Sequence, residues 1–190
     1  MSKPFIDNKE FQGIDFSKEH FEKGVYEGCS FSNCRFSKSD LSGIQFTECD
    51  FIDCDLSMAN LTDCGFRDTR FKGCKLLGLQ FDNCNGMLFS VNFDGCQLNL
   101  SSFFKMNLKK AGFKDCSLQE VDFTEADLSK VVFENCDMIR AVFTHTNLEK
   151  ADLRTSYNYS IDPEMNRIRK AKFSLTGVTG LLDKYEIEIQ

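Results

Sequence analysis

Ten cysteines and two histidines are the residues of this 190-residue chain best equipped for chemistry, and their spacing limits what that chemistry can be. A zinc site or a thiolate nucleophile asks for paired Cys-x-x-Cys ligands or a histidine beside the thiol. Neither pattern occurs. Cys29, Cys34, Cys49, Cys54, Cys64, Cys74 and Cys84 are separated by multiples of five, and Cys96, Cys116 and Cys136 by twenty. His20 and His145 stand alone. A period, and not a catalytic grouping, orders these residues, so no catalytic residue, no metal and no cofactor is expected.

Carboxylates form the second candidate group. Asp40, Glu48, Asp50, Asp53, Asp55 and Asp63 follow one another without an intervening Lys or Arg, and Asp115, Glu120, Asp122, Glu125, Asp127, Glu134 and Asp137 enclose only Lys130. Fixed carboxylates offer a basic groove charge and acceptors like those of DNA phosphates. The same residues also keep a repetitive sheet soluble and its edges unpaired. The formal net charge of −6 argues against direct binding to nucleic acid, which relies on Lys and Arg at the phosphates.

The elements that position both groups follow from one repeat. From Phe16, every fifth residue to Phe81 is apolar; the pattern slips by two around Cys84 to Met87 and runs on from Leu88 to Leu153. All ten cysteines fall two places before a central position i, Cys84 when the first frame is carried one step past Phe81, a slot suited to small buried residues. Period five matches neither a helix nor a flat strand. Residues twenty apart share a type: Phe93, Phe113 and Phe133; Phe103, Phe123 and Phe143; Leu88, Leu108, Leu128 and Leu148. These are the expected core columns, with Phe on two opposite faces and Leu on the other two.

Segments such as Ala126-Asp127-Leu128-Ser129-Lys130 and Ala151-Asp152-Leu153-Arg154-Thr155 come close to the A(D/N)LXX consensus, and the chain resembles the pentapeptide-repeat proteins over about 80% of its length. The resemblance implies an all-β fold, a right-handed quadrilateral β-helix with one pentapeptide per side and i and i−2 pointing inward. Twenty-eight units would give about seven coils and a rod roughly 34 Å long at sheet spacing. Stacked thiols on successive coils would be packed, not bonded.

The expected division is the pentapeptide-repeat β-helix over 1–155, with its slip near 84–87, and an irregular last coil with a cap and dimerisation segment over 156–190. Within the cap, Leu181 to Lys184 predict at most one helical turn and Tyr185 to Ile189 an alternating strand. Asp162-Pro163, Phe173 to Val178, Leu181-Leu182 and Tyr185 to Ile189 are similar to the closing segment of the Qnr/MfpA-type quinolone-resistance group. That resemblance implies a homodimer through the C-terminal end, with Leu181, Leu182, Tyr185, Ile187 and Ile189 as cap and dimer contacts. It also implies a DNA-mimicking rod that binds DNA gyrase or topoisomerase IV. A scaffold meeting some other protein through its flat faces is the rival expectation. No stretch is long and apolar enough to span a membrane, and the first ten residues lack a signal-peptide core, so a cytoplasmic protein is expected.

Overall fold

The computed structural model describes residues 3–188, apart from the side chain of Leu88. Phe5–Asp7, Val25–Glu27, Gln45–Thr47 and Gly65–Arg67 stack as a four-stranded parallel sheet. Glu10–Gln12, Ser30–Ser32, Asp50–Ile52, Thr69–Lys72, Val91–Asp94, Gly112–Lys114 and Phe133–Glu134 stack as a seven-stranded one. Partners such as Phe31 and Phe51, or Phe113 and Phe133, are twenty residues apart. Four pentapeptides therefore close one turn. Seven strands make six turns from first to last, and bridges from Val132 to Asp152 and on to Lys172 extend the stack.

Four faces result, each named by its central side chains. Face 1 carries Tyr26, Phe46 and Phe66, then Leu108, Leu128 and Leu148; face 2 carries Phe31, Phe51, Phe71, Phe93, Phe113 and Phe133. Face 3 runs through Phe36, Leu56, Leu76, Leu98, Leu118 and Met138, and face 4 through Leu41, Leu61, Phe81, Phe103, Phe123 and Phe143. All of these are buried. Below the slip, the Phe columns do lie on opposite faces. Above it they are neighbours, because Tyr26, Phe46 and Phe66 stack on face 1 beside the Phe column of face 2.

At the slip, Phe71 pairs with Phe93 and Gln80 with Ser102, twenty-two residues on. The two extra residues are absorbed between Asp82 and Ser90, where single 3-10 turns, Phe81–Asn83 and Gly86–Leu88, replace a strand. Buried Phe89 packs edge-on against Phe66 and Phe81 there. The Leu88 side chain expected in the core column lies outside the described residues.

Most corners turn at i+2, where the backbone takes a positive φ. Asp53, Lys105, Asp115, Asn135 and Lys150, for example, have φ between 51° and 61°. Asn and Asp tolerate this region better than most side chains, which accounts for their frequency at that slot.

Candidate functional site

The thiols occupy the interior. Cys34, Cys54, Cys74, Cys96, Cys116 and Cys136 form one column along face 3, ending on Ser156. Packing alone does not account for them. Eight of the ten cysteines donate their sulfhydryl to the carbonyl two residues back, as Cys54 does to Ile52 at 3.4 Å. In several, that single proton is shared with the central Phe carbonyl one coil away: Cys54 with Phe31, Cys74 with Phe51 and Cys96 with Phe71, each at 3.3 Å. Thr69 and Thr146 make the same pair of bonds from the same slot. Elsewhere, when that slot holds Ala or Met, its backbone N–H closes the corner onto the central residue of the preceding unit, as Ala126 does onto Phe123. The slot before an inward side chain therefore asks for a small residue with a donor wherever the backbone leaves a buried carbonyl to satisfy.

Burial pushes the Cys49 thiol up to about 12 and also raises Cys34 and Cys64. At Cys74 and Cys116, hydrogen bonds with the sulfurs above and below keep the proton on. The same bonds lower the neighbours Cys54, Cys96 and Cys136, so protons are held within the column; enclosed there, these thiols are out of reach of a substrate or a metal ion. Cys84 departs from the pattern: it lies on the slip, is only partly buried, and its N–H closes a turn onto Phe81. His20 and His145 are exposed, on separate coils. Among the described residues no three His, Cys, Asp or Glu side chains converge as metal ligands.

All thirteen candidate carboxylates are exposed or partly exposed. Five of them have a structural duty. Asp40, Asp55, Asp122, Asp127 and Asp137, at i−1, accept the backbone N–H two residues on, at 2.8 to 3.3 Å. Asn60, Asn107 and Asn147 do the same from equivalent places. The Asp or Asn of the repeat is thus an Asx turn that braces each side. Five of the thirteen are also ion-paired: Asp40 with Lys23, Asp50 with Arg70, Glu120 with Arg140, Glu125 with Lys105 and Asp127 with Lys109. Hydrogen bonding from Lys23 holds the Asp40 carboxyl down at about 2.

Glu48, Asp53, Asp63, Asp115, Glu120 and Glu125 sit at i+2, with φ between 51° and 58°, and project from the corners. Asp53 and Asp115 share the edge between faces 2 and 3, and Asp63 and Glu125 that between faces 4 and 1. Glu48 and Glu120 lie on the two remaining edges. Glu134 is exposed on face 2. Each acidic stretch spans little more than one coil, so its carboxylates encircle the rod and do not run along it.

A family profile described as pentapeptide repeat region matches residues 25–93, 44–111 and 87–158. The chain is a pentapeptide-repeat protein. Its fold is the right-handed quadrilateral β-helix of that family. A trypsin-treated variant of QnrB1, a plasmid-mediated fluoroquinolone resistance protein, superposes with a TM-score of 0.66 at 20% identity, over 100% of this chain and 92% of its own. HetL, a pentapeptide repeat protein involved in heterocyst differentiation regulation in Nostoc sp. strain PCC 7120, matches at 18% identity over 93% of this chain and 87% of its own, with a TM-score of 0.42. No curated protein matches in sequence.

The end of this pentapeptide-repeat protein differs from the expected strand. Gly177–Leu181 and Asp183–Tyr185 are 3-10 turns, and Glu186 has a φ of 50°, which an extended strand does not allow. The turns are tied down locally. Ile161 donates its N–H to the Gly180 carbonyl at 2.9 Å, Lys184 bonds Asp162 and Glu164, and the Tyr185 hydroxyl donates to Glu164. Leu181 and Leu182 are partly buried, whereas Tyr185 and Ile187 are exposed. Ile189 lies outside the described residues.

Proposed function

We propose that this pentapeptide-repeat protein is a non-enzymatic, protein-binding rod whose partner is a bacterial type II topoisomerase, DNA gyrase or topoisomerase IV. The observation that carries the reading is the pair of carboxylate girdles around the coils of Asp40–Asp63 and Asp115–Asp137, roughly 17 Å apart at sheet spacing. A basic groove that accepts a negatively charged cylinder meets charge on every side of such a rod. Exposed Leu175, Val178, Tyr185 and Ile187 at the C-terminal end support a homodimer that would lengthen the cylinder. The fluoroquinolone resistance named for QnrB1 agrees with this partner.

The test is supercoiling by gyrase in the presence of the purified protein, with and without a fluoroquinolone. Wild type should inhibit or protect. A variant with Asp53, Asp63 and Asp115 changed to Asn and Glu120 and Glu125 to Gln should do neither while melting as wild type does. No effect and no binding by the wild type overturns the reading. A scaffold reading is favoured by one observation, the exposed Met58 and Leu100 on the edge between faces 3 and 4. Capture through that edge would survive high salt, whereas girdle binding would weaken steeply.

A further inference from the structure

The edge between faces 1 and 2 changes sign at the slip. Above it stand Glu48 and Asp68; below it stand Lys110, Lys130, Lys150 and Lys170, one per coil. Bridges from Asn107 through Asp127 and Asn147 to Arg167 set this register, and the Lys130 and Lys150 N–H groups bond the coil beneath. The four face 1 units at 106–110, 126–130, 146–150 and 166–170 hold seven cations and two carboxylates, a net +5 in a chain of net −6. Both carboxylates are engaged, Asp127 by Lys109 at 2.9 Å and Glu149 by Arg167 at 2.8 Å. The four ladder lysines and Arg169 are exposed and make no ion pair among the described residues.

Backbone geometry does not ask for lysine here. Lys130, Lys150 and Lys170 hold φ of 68°, 61° and 61°, a region where Gly or Asn sits with less strain. Their shared property is charge, repeated at roughly 4.8 Å along a straight convex edge.

We propose that this lysine edge docks the rod on an anionic phospholipid surface. A plane can meet every ammonium group of a straight edge at once, whereas the strands of a double helix wind away from it. Single-stranded nucleic acid gains its hold from exposed aromatic platforms. Phe89, the aromatic at this end of face 1, is buried. Met87 is 86% exposed and borders the same hollow as Lys109 and Lys110, which places an apolar side chain where it can enter between headgroups. This inference is independent of the topoisomerase reading.

Cosedimentation of the full chain with vesicles tests it, using phosphatidylcholine alone and phosphatidylcholine with about a third phosphatidylserine. Binding should require the anionic lipid and fall with salt. Changing Lys130, Lys150 and Lys170 together to Asn should lower partitioning on the order of a hundred-fold, at about five-fold per lysine. Melting should be unchanged or raised, since Asn suits the left-handed corner. The triple Arg variant should still bind. Equal binding to neutral vesicles, no binding to anionic ones at low salt, or an equal loss when Lys18, Lys38 and Lys75 on face 3 are changed to Gln would each overturn the proposal. So would preferential capture of a fluorescent single-stranded or duplex oligonucleotide.

Discussion

Replacing Phe113 with Ala tests the physical basis of the rod most directly. The ring is 1% exposed. It lies 5.3 Å from Phe93 and 5.0 Å from Phe133 in near-parallel stacks, and 6.0 Å from both Phe103 and Phe123 edge-on. Burying a Phe and then truncating it to Ala costs about 3–5 kcal/mol when the walls cannot collapse. Here they cannot, because the coils above and below are held at sheet spacing by their own ladders. The four lost aromatic contacts are contained in that measured cost, whose middle, about 4 kcal/mol, is the expected loss. For a chain of this size that lowers the melting temperature by about 8–16 °C. Phe113→Leu should lose no more than about 1.5 kcal/mol, because face 3 shows the same slot filled by leucine. Thermal unfolding followed by circular dichroism reads both. A shift below about 3 °C for Ala, or equal shifts for Ala and Leu, would falsify the claim that stacked rings hold the coils together.

Three further outcomes follow from the geometry. A thiol reagent at neutral pH should label at most Cys84 in the native protein and all ten cysteines in denaturant, because nine are buried; rapid native labelling of several would contradict the closed column. The Asp152 carboxyl is held down at about 2 by Arg154, so below about pH 4 the unfolded chain takes up its proton first. The stability this pairing contributes is present above the ordinary value of 3.8 and is lost as pH falls toward 2. Asp152→Asn should flatten that part of an acid melting series, and an unchanged slope would reject the pairing. Gly180→Ala would set a Cβ 2.1 Å from the Tyr159 carbonyl oxygen, so the tail should detach and become sensitive to protease. Light scattering should then report monomer, and an unaltered mass with an intact tail would count against tail-mediated pairing.

The fold was legible because one period governed both the bulky central residues and the small ones two places earlier. What the period could not convey was the backbone. The i−2 cysteines look like small apolar fillers in the sequence, yet most are donors to buried carbonyls, as their exchange with Thr69 and Thr146 shows. That exchange is a sequence signal: a slot alternating among Cys, Thr and Ser asks for a donor as well as small volume. The tail misled for a related reason. Tyr185 to Ile189 alternates as a strand would, but a solenoid end offers that segment no ladder in the described residues, and Lys184 and Tyr185 bond Asp162 and Glu164 instead.

Charge shows most clearly why counting residues along the chain is a poor guide to a solenoid's surface. Acids that cluster over two dozen residues become a ring after folding, since twenty residues make one turn. Five of the thirteen are held by the Asx turn before any partner is considered. The four ladder lysines are scattered over sixty residues and invisible as a run, yet folding aligns them on one edge. In this architecture a charge pattern has directional meaning only at intervals of twenty. By that measure the most continuous column among these groups is basic, on a protein whose overall balance is acidic. The two proposals therefore rest on different parts of the surface, and neutralising one set of charges should leave any binding through the other intact.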